Sequence, residues 1–284
     1  MYIPYSCFDC THLMKITFIG GGNMAQAIIG GLRRGGFDTK DIKVADPMAE
    51  TRTKLAREFD VAAVVAAPDT APYGDLIVMA VKPQQMREAA LSILPGLKPE
   101  QVVLTIAAGI RLTDLSRWLG GHAKLIRCMP NTPALIGAGI TAAYATPAVS
   151  AMETGNAEHV LATMGKLIWV KTEQLLDPVT AVSGSGPAYV FYFIEALEQA
   201  AVELGLDADA ARTLALETFL GAAKLAAGST DDPATLRAKV TSKGGTTEAA
   251  LAEMNRQALK EAIIRAVRAA NTRAGELGDA LGKN

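Results

Sequence analysis

The sequence predicts an α/β chain, a doubly wound sheet followed by an all-helical C-terminal domain. Three observations carry that expectation. Short apolar runs alternate with helical patterns through the first half of the chain. A glycine-rich turn joins the first of these runs to the first helix. Beyond about residue 171 the strand-like runs stop, and from about Pro187 to Leu277 every segment has helical period. Apolar strands alternating with helices belong to a parallel sheet covered on both faces.

Taken in order, "KITFI" (15–19), "DIKVAD" (41–46), "VAAVV" (61–65) and "DLIVMAV" (75–81) read as the first four strands. "VVLTIA", "AKLIRCM", "GITAAYA" and "KLIWVK" supply the rest. Helical period places helices at Asn23–Arg34 and about Ala49–Phe59, with Met24, Ala27, Ile28 and Leu32 on one face of the first. The later helices are Pro187–Leu204, Ala210–Ala227 and Gln257–Leu277, the last with Leu259, Ile263, Val267, Ala270 and Ala274 inward. The helix from Pro187 is apolar on nearly all sides at Val190, Phe191, Phe193 and Ile194, so two of its faces should be buried, one against another subunit. The expected division is an N-terminal appendage at 1–13, a dinucleotide-binding domain at 14–171 and a helical domain at 172–284.

A chain of 284 residues suits two domains of ~150 residues each. With 28 basic against 29 acidic residues the net charge is -1, so no basic excess points to nucleic acid or an anionic membrane, and neither partner is expected. No run approaches the ~20 apolar residues of a membrane span. Only three cysteines occur, so a reduced, cytoplasmic protein is expected. Cys7, Cys10 and His12 lack the further ligands of a closed four-ligand zinc site, and no metal is expected.

"FIGGGNMA" gives Gly20-x-Gly22-x-x-Ala25 between a strand and a helix, the Rossmann-type phosphate turn. Gly20, Gly22, Asn23, Met24 and Ala25 are therefore the expected pyrophosphate contacts. Asp46, at the end of the second strand, favours NAD through a ribose hydroxyl, whereas Arg52 suits the extra phosphate of NADP, and the residues leave both open. Ala80, Val81, Lys82 and Pro83 follow the fourth strand and should border the ribose or nicotinamide. Asn131 and Thr132 in "RCMPNTPALIGAG" face the same cleft by the same rule. His12, His122 and His159 each read as surface residues rather than bases. The chemistry must then rest on a cofactor and on positioning.

"GGGNMA", "AVKPQ", "IAAG", "MPNTPALIGAG", "SGSGPAYVF" and "SKGGTT" occur in this order. On these motifs the chain, from about Met14 to its end, resembles the pyrroline-5-carboxylate reductase family. The resemblance implies a homodimer or a larger ring of dimers built on the helical domain. It also implies hydride transfer from NAD(P)H to the C=N carbon of 1-pyrroline-5-carboxylate, giving L-proline in the last step of proline synthesis. Arg52 together with the family's habit sets the expectation that NADPH is preferred and NADH accepted, with Asp46 as the counter-indication. Ser242, Gly244, Gly245, Thr246 and Thr247 then form the substrate loop, whose backbone N–H groups cradle the carboxylate. Thr247 matches the family's catalytic position, where its hydroxyl orients the ring nitrogen. An iminium substrate is already activated, so little acid catalysis is required. Two rivals remain. A β-hydroxyacid dehydrogenase would need a lysine that "PAYVFYFIEALEQA" lacks, and a non-catalytic nucleotide sensor would not need complete "MPNTP" and "SKGGTT" loops.

Overall fold

The structure is a computed structural model that describes residues 14–283. The expected appendage, with Cys7, Cys10 and His12, lies outside the described residues. Two compact units form. The first runs to Gly184 and takes in the chain from Arg273 onward, and the second is Ser185–Thr272.

The first unit holds an eight-stranded sheet. Its strands are β1 Ile16–Ile19, β2 Ile42–Ala45, β3 Ala63–Val64, β4 Leu76–Met79, β5 Val102–Thr105, β6 Leu125–Met129, β7 Gly139–Ala145 and β8 Gly165–Trp169. The order is β3-β2-β1-β4-β5-β6-β7-β8. Helices α1 Asn23–Arg34, α2 Ala49–Phe59, α3 Met86–Ile93, α4 Leu112–Trp118, α5 Ala151–Ala162 and the single turn α6 Leu176–Val179 connect and follow the strands. Alternate residues of each central strand feed two cores. Ile16, Phe18, Leu76, Val78 and Leu104 pack with Ile28 and Leu55, while Ile77, Met79 and Val103 pack with Met86, Ile93 and Trp118. Burial on both faces is why these runs carry no polar alternation.

The expected all-parallel sheet is corrected at one point, since β7 runs antiparallel to β6. Only residues 130–138 join the two strands, and a parallel neighbour needs a crossover of a dozen or more residues. β8 pairs parallel with β7 after α5. Beyond β8 the chain stays with the sheet. Leu176 and Ala181 are buried, α6 packs on β6 and β7, and a π-turn over Thr180–Gly184 brings Gly184 against Met129. By contacts, then, the first unit continues past Lys171, where the sequence suggests a boundary.

The second unit comprises α7 Gly186–Glu203, α8 Ala208–Gly228, α9 Pro233–Lys239, α10 Thr246–Arg256 and the first part of α11 Leu259–Leu281. α7 packs on α8, with the Phe193 and Phe219 rings 6.5 Å apart between centroids. Yet Ala211 and Ala215 are its only buried residues. Val190 is 43% exposed, Phe191 64% and Leu225 63%. The expected inward stripe of α11 is corrected likewise: Ala274 is buried, Leu259, Val267 and Ala270 are half-buried, and Ile263 is exposed. Contiguous apolar surface of this kind marks an interaction site.

Candidate functional site

Chain order reverses between β1 and β4, which places a crevice beyond their carboxyl ends. The residues there divide into packing and open positions. Gly20 has φ +99, and a Cβ on it would lie 2.7 Å from the Ala80 carbonyl oxygen. Ala80 N–H donates to Ile19 O and Gly20 N–H to Ala45 O, both at 2.8 Å, so three strands are sewn together under the turn. Ala25 is fully buried against the sheet. Gly22 differs, being the cap of α1 at φ -65 with no side-chain cap, and a Cβ on it would meet nothing within 4 Å. Asn23 is exposed and Met24 half-buried. The uncapped amides of this first turn and the clear space at Gly22 fit a diphosphate.

This division sets a contrast between two variants. Gly20→Ala must force a left-handed backbone and a backbone clash, at about 1–3 kcal/mol for the strain alone. It should lower the melting temperature and weaken coenzyme together. Gly22→Val should leave the melting temperature near wild type and still weaken NADPH binding, measured by fluorescence titration. Equal melting temperatures for both variants, or unchanged binding in Gly22→Val, would contradict the division.

The side chain of Asp46 does not face outward as a ribose reader would. It is 8% exposed; Oδ2 accepts from Gly21 N–H at 2.8 Å and Oδ1 from Met48 N–H at 2.9 Å. It clamps the glycine turn to the end of β2. Arg52 sits over the same strand end, where Nη1 donates to the carbonyls of Asp46 at 2.9 Å and Pro47 at 2.8 Å. Its other guanidinium nitrogens have no partner among the described residues. Val81 and Pro83 are half-buried and Lys82 is exposed, at the start of the turn Pro83–Gln85.

Asn131 follows β6, but its side chain is engaged in holding loops. Nδ2 donates to Ser183 O at 3.2 Å, and Oδ1 accepts from Ile140 N–H at 3.0 Å. It ties "MPNTP" to the π-turn and to β7, so any coenzyme contact there falls to the backbone or to the exposed Thr132. Arg127, given no role from sequence, is 4% exposed and pairs with Glu173 at 3.0 Å and Asp177 at 3.3 Å. The one signal for it is a charge inside the apolar run "LIRCM". His122 is half-buried rather than a plain surface residue. Burial holds its pKa below the ordinary value, and its Nε2–H donates to Gln101 O at 2.8 Å.

The loop expected to hold substrate, Ser242 to Thr247, lies in the second unit. Gly244 has φ +73, which a side chain would resist, and Gly245 caps α10 with φ -86. A Cβ on Gly245 would run into the Ser242 hydroxyl. Gly245 N–H donates to Ser242 O at 3.0 Å and Gly244 N–H to Glu248 Oε2 at 2.6 Å. That removes Gly244 and Gly245 from the expected nest. The amides of Thr246, Thr247 and Glu248, at a helix start with no side-chain cap, have no acceptor among the described residues, and neither do those of Ser242 and Lys243. Thr247 is half-buried, and its hydroxyl has no partner there either.

Comparison with known proteins agrees with this layout. The profile of the pyrroline-5-carboxylate reductase dimerisation family matches residues 173–277, and that of the NADP oxidoreductase, coenzyme F420-dependent family matches residues 15–109. The pyrroline-5-carboxylate reductase of Pseudomonas aeruginosa is 43% identical over 269 residues, covering 95% of this chain and 98% of that one. A solved pyrroline-5-carboxylate reductase from Coxiella burnetii superimposes with a TM-score of 0.88 at 36% identity, over 94% of this chain and 99% of that one. The Plasmodium falciparum pyrroline carboxylate reductase, crystallised with NADP bound, superimposes with a TM-score of 0.83 at 26% identity, over 93% and 98%. With near-complete coverage at both sequence and fold level, the chain belongs to the pyrroline-5-carboxylate reductase family.

Proposed function

We propose that this chain reduces 1-pyrroline-5-carboxylate to L-proline, with the coenzyme held by the turn Gly20–Ala25 and the substrate carboxylate by the amides that open α10. The observation that carries the second assignment is the entry to α10, where a left-handed glycine leads into a helix whose first amides are uncapped. Bound at the first unit, a reduced nicotinamide supplies the hydride for the imine carbon. The chain's own work is orientation. Thr246 and Thr247 amides fix the carboxylate, and the Thr247 hydroxyl meets the ring nitrogen. A threonine hydroxyl is a weak acid, so its part is to align an iminium that carries its own activation. No histidine or metal cluster is needed for this, and no group of three metal-ligating side chains occurs among the described residues.

The exposed apolar faces of α7 and α8 are the surface on which a second copy docks, giving a homodimer or a larger ring of dimers. Among the described residues no helix is long and apolar enough to cross a membrane. The reading carries a cytoplasmic enzyme with a small-molecule substrate.

NADPH is the preferred coenzyme in this reading, and NADH is accepted. Asp46 is occupied by the glycine turn, and the unpartnered part of the Arg52 guanidinium sits where a second phosphate could be met. The test is steady-state oxidation of both coenzymes with pyrroline-5-carboxylate, in wild type and Arg52→Ala. The variant should raise KM for NADPH well beyond any rise for NADH. A charge-assisted hydrogen bond is worth about 1.5–3 kcal/mol, or roughly 10- to 150-fold. Equal effects on the two coenzymes remove Arg52 from the phosphate. Absence of coenzyme oxidation with this substrate removes the function.

A further inference from the structure

Glu248 makes the shortest hydrogen bond of the loop proposed to hold substrate. It stands at the third position of α10, where a glutamate ordinarily reaches back to the cap residue's own amide. Glu153 does this in α5, accepting from Ser150 N–H at 2.8 Å. In α10 the cap is Gly245, and its amide is already given to Ser242 O. Glu248 reaches one residue further and accepts from Gly244 N–H at 2.6 Å. Gly244 is the left-handed residue of the turn, with φ +73. The carboxylate therefore holds the amide of the turn's left-handed residue. It also leaves an exposed negative charge at the helix start, where a substrate carboxylate is proposed to arrive.

We infer that Glu248 is a positioning residue with two opposed effects: its hydrogen bond holds the loop in the binding shape, and its charge limits affinity for the anionic substrate. The inference rests on the reading of "SKGGTT" as the carboxylate site. The two effects separate by chemistry. Glutamine keeps an acceptor for Gly244 N–H and loses the charge, whereas alanine loses both. An exposed unit charge at contact range changes a binding constant by about three- to fivefold in water, and salt screens it.

The experiment compares wild type, Glu248→Gln and Glu248→Ala in the reductase assay at low and high ionic strength. Glu248→Gln should lower KM for pyrroline-5-carboxylate by about three- to fivefold at low salt, with the gap closing at high salt. The change should show in KM rather than in kcat, with KM for NADPH unmoved. Glu248→Ala should have a higher KM for the imine than Glu248→Gln, by the roughly 2- to 13-fold of one lost hydrogen bond. An unchanged or raised KM in Glu248→Gln overturns the charge role, and equal values for Gln and Ala overturn the positioning role. Gly245→Val in the same assay tests the loop reading separately. If that variant binds the imine normally, the underlying site is wrong. If it is impaired while Glu248→Gln is silent, only the inference about Glu248 falls.

Discussion

Arg127→Met should destabilise the protein by about 3–5 kcal/mol, the cost of breaking a buried ion pair from one side. Arg127 stands in the middle of the sheet on β6, 4% exposed, and its guanidinium answers both Glu173 and Asp177. Those two carboxylates are 17% and 24% exposed, so without the arginine they face each other with little water. Glu173 Oε1 also accepts from Leu112 N–H at 2.8 Å, at the start of α4, so the disturbance spreads to that helix. At about 2–4 °C per kcal/mol for a unit of this size, the melting temperature should fall by roughly 6–20 °C. The triple variant Arg127→Met, Glu173→Gln, Asp177→Asn removes all three charges while keeping an acceptor for Leu112, and should recover most of the loss. Thermal unfolding decides it. A single variant within about 1 kcal/mol of wild type, or a triple variant no better than the single, would show that the pair does not hold this segment to the sheet.

The sequence speaks clearly where one period governs. α1 spans Asn23–Arg34 and α2 spans Ala49–Phe59, as helical period predicts, with Ile28 and Leu55 buried in the same core. The glycine turn is legible for a related reason: a strand, a turn with Gly20 at positive φ and a helix start leave little choice of residue. Direction of pairing is harder. Nothing in "GITAAYA" states that β7 runs against β6, because that depends on the length of the connection. The stripe expected along α11 fails for a different reason. Ile263 is as apolar as any core residue, but a period reports that a face is buried somewhere, not that the same chain buries it.

Side-chain assignments at the site were legible by type and not by partner. Asp46 occupies the position of a ribose ligand in sequence, but the buried Gly21 amide requires an acceptor, and Asp46 supplies it. Asn131 is likewise drawn to Ser183 and Ile140 by backbone groups that no local pattern reveals. Arg127 finds its carboxylates at Glu173 and Asp177, beyond the reach of any short motif. For Asp46 and Asn131 a backbone group brought near by the fold outbids the ligand that a local motif suggests.

Gly245→Val separates a substrate site at the entry to α10 from coenzyme binding elsewhere. The added side chain meets the Ser242 hydroxyl, and the turn must give way to admit it. Forced overpacking costs about 1–3 kcal/mol, so KM for pyrroline-5-carboxylate should rise on the order of 5- to 150-fold. Thr247→Ala, measured beside it, removes one hydrogen bond and should cost roughly 2- to 13-fold; a loss beyond about a thousandfold would give Thr247 a proton-transfer role instead. The decisive quantity is the pair of constants for Gly245→Val. The expected result is a raised KM for the imine with the dissociation constant for NADPH within about twofold of wild type, a shift smaller than one neutral hydrogen bond. Weakened NADPH binding with an unchanged KM for the imine would assign "SKGGTT" to the coenzyme and invert the two proposed sites.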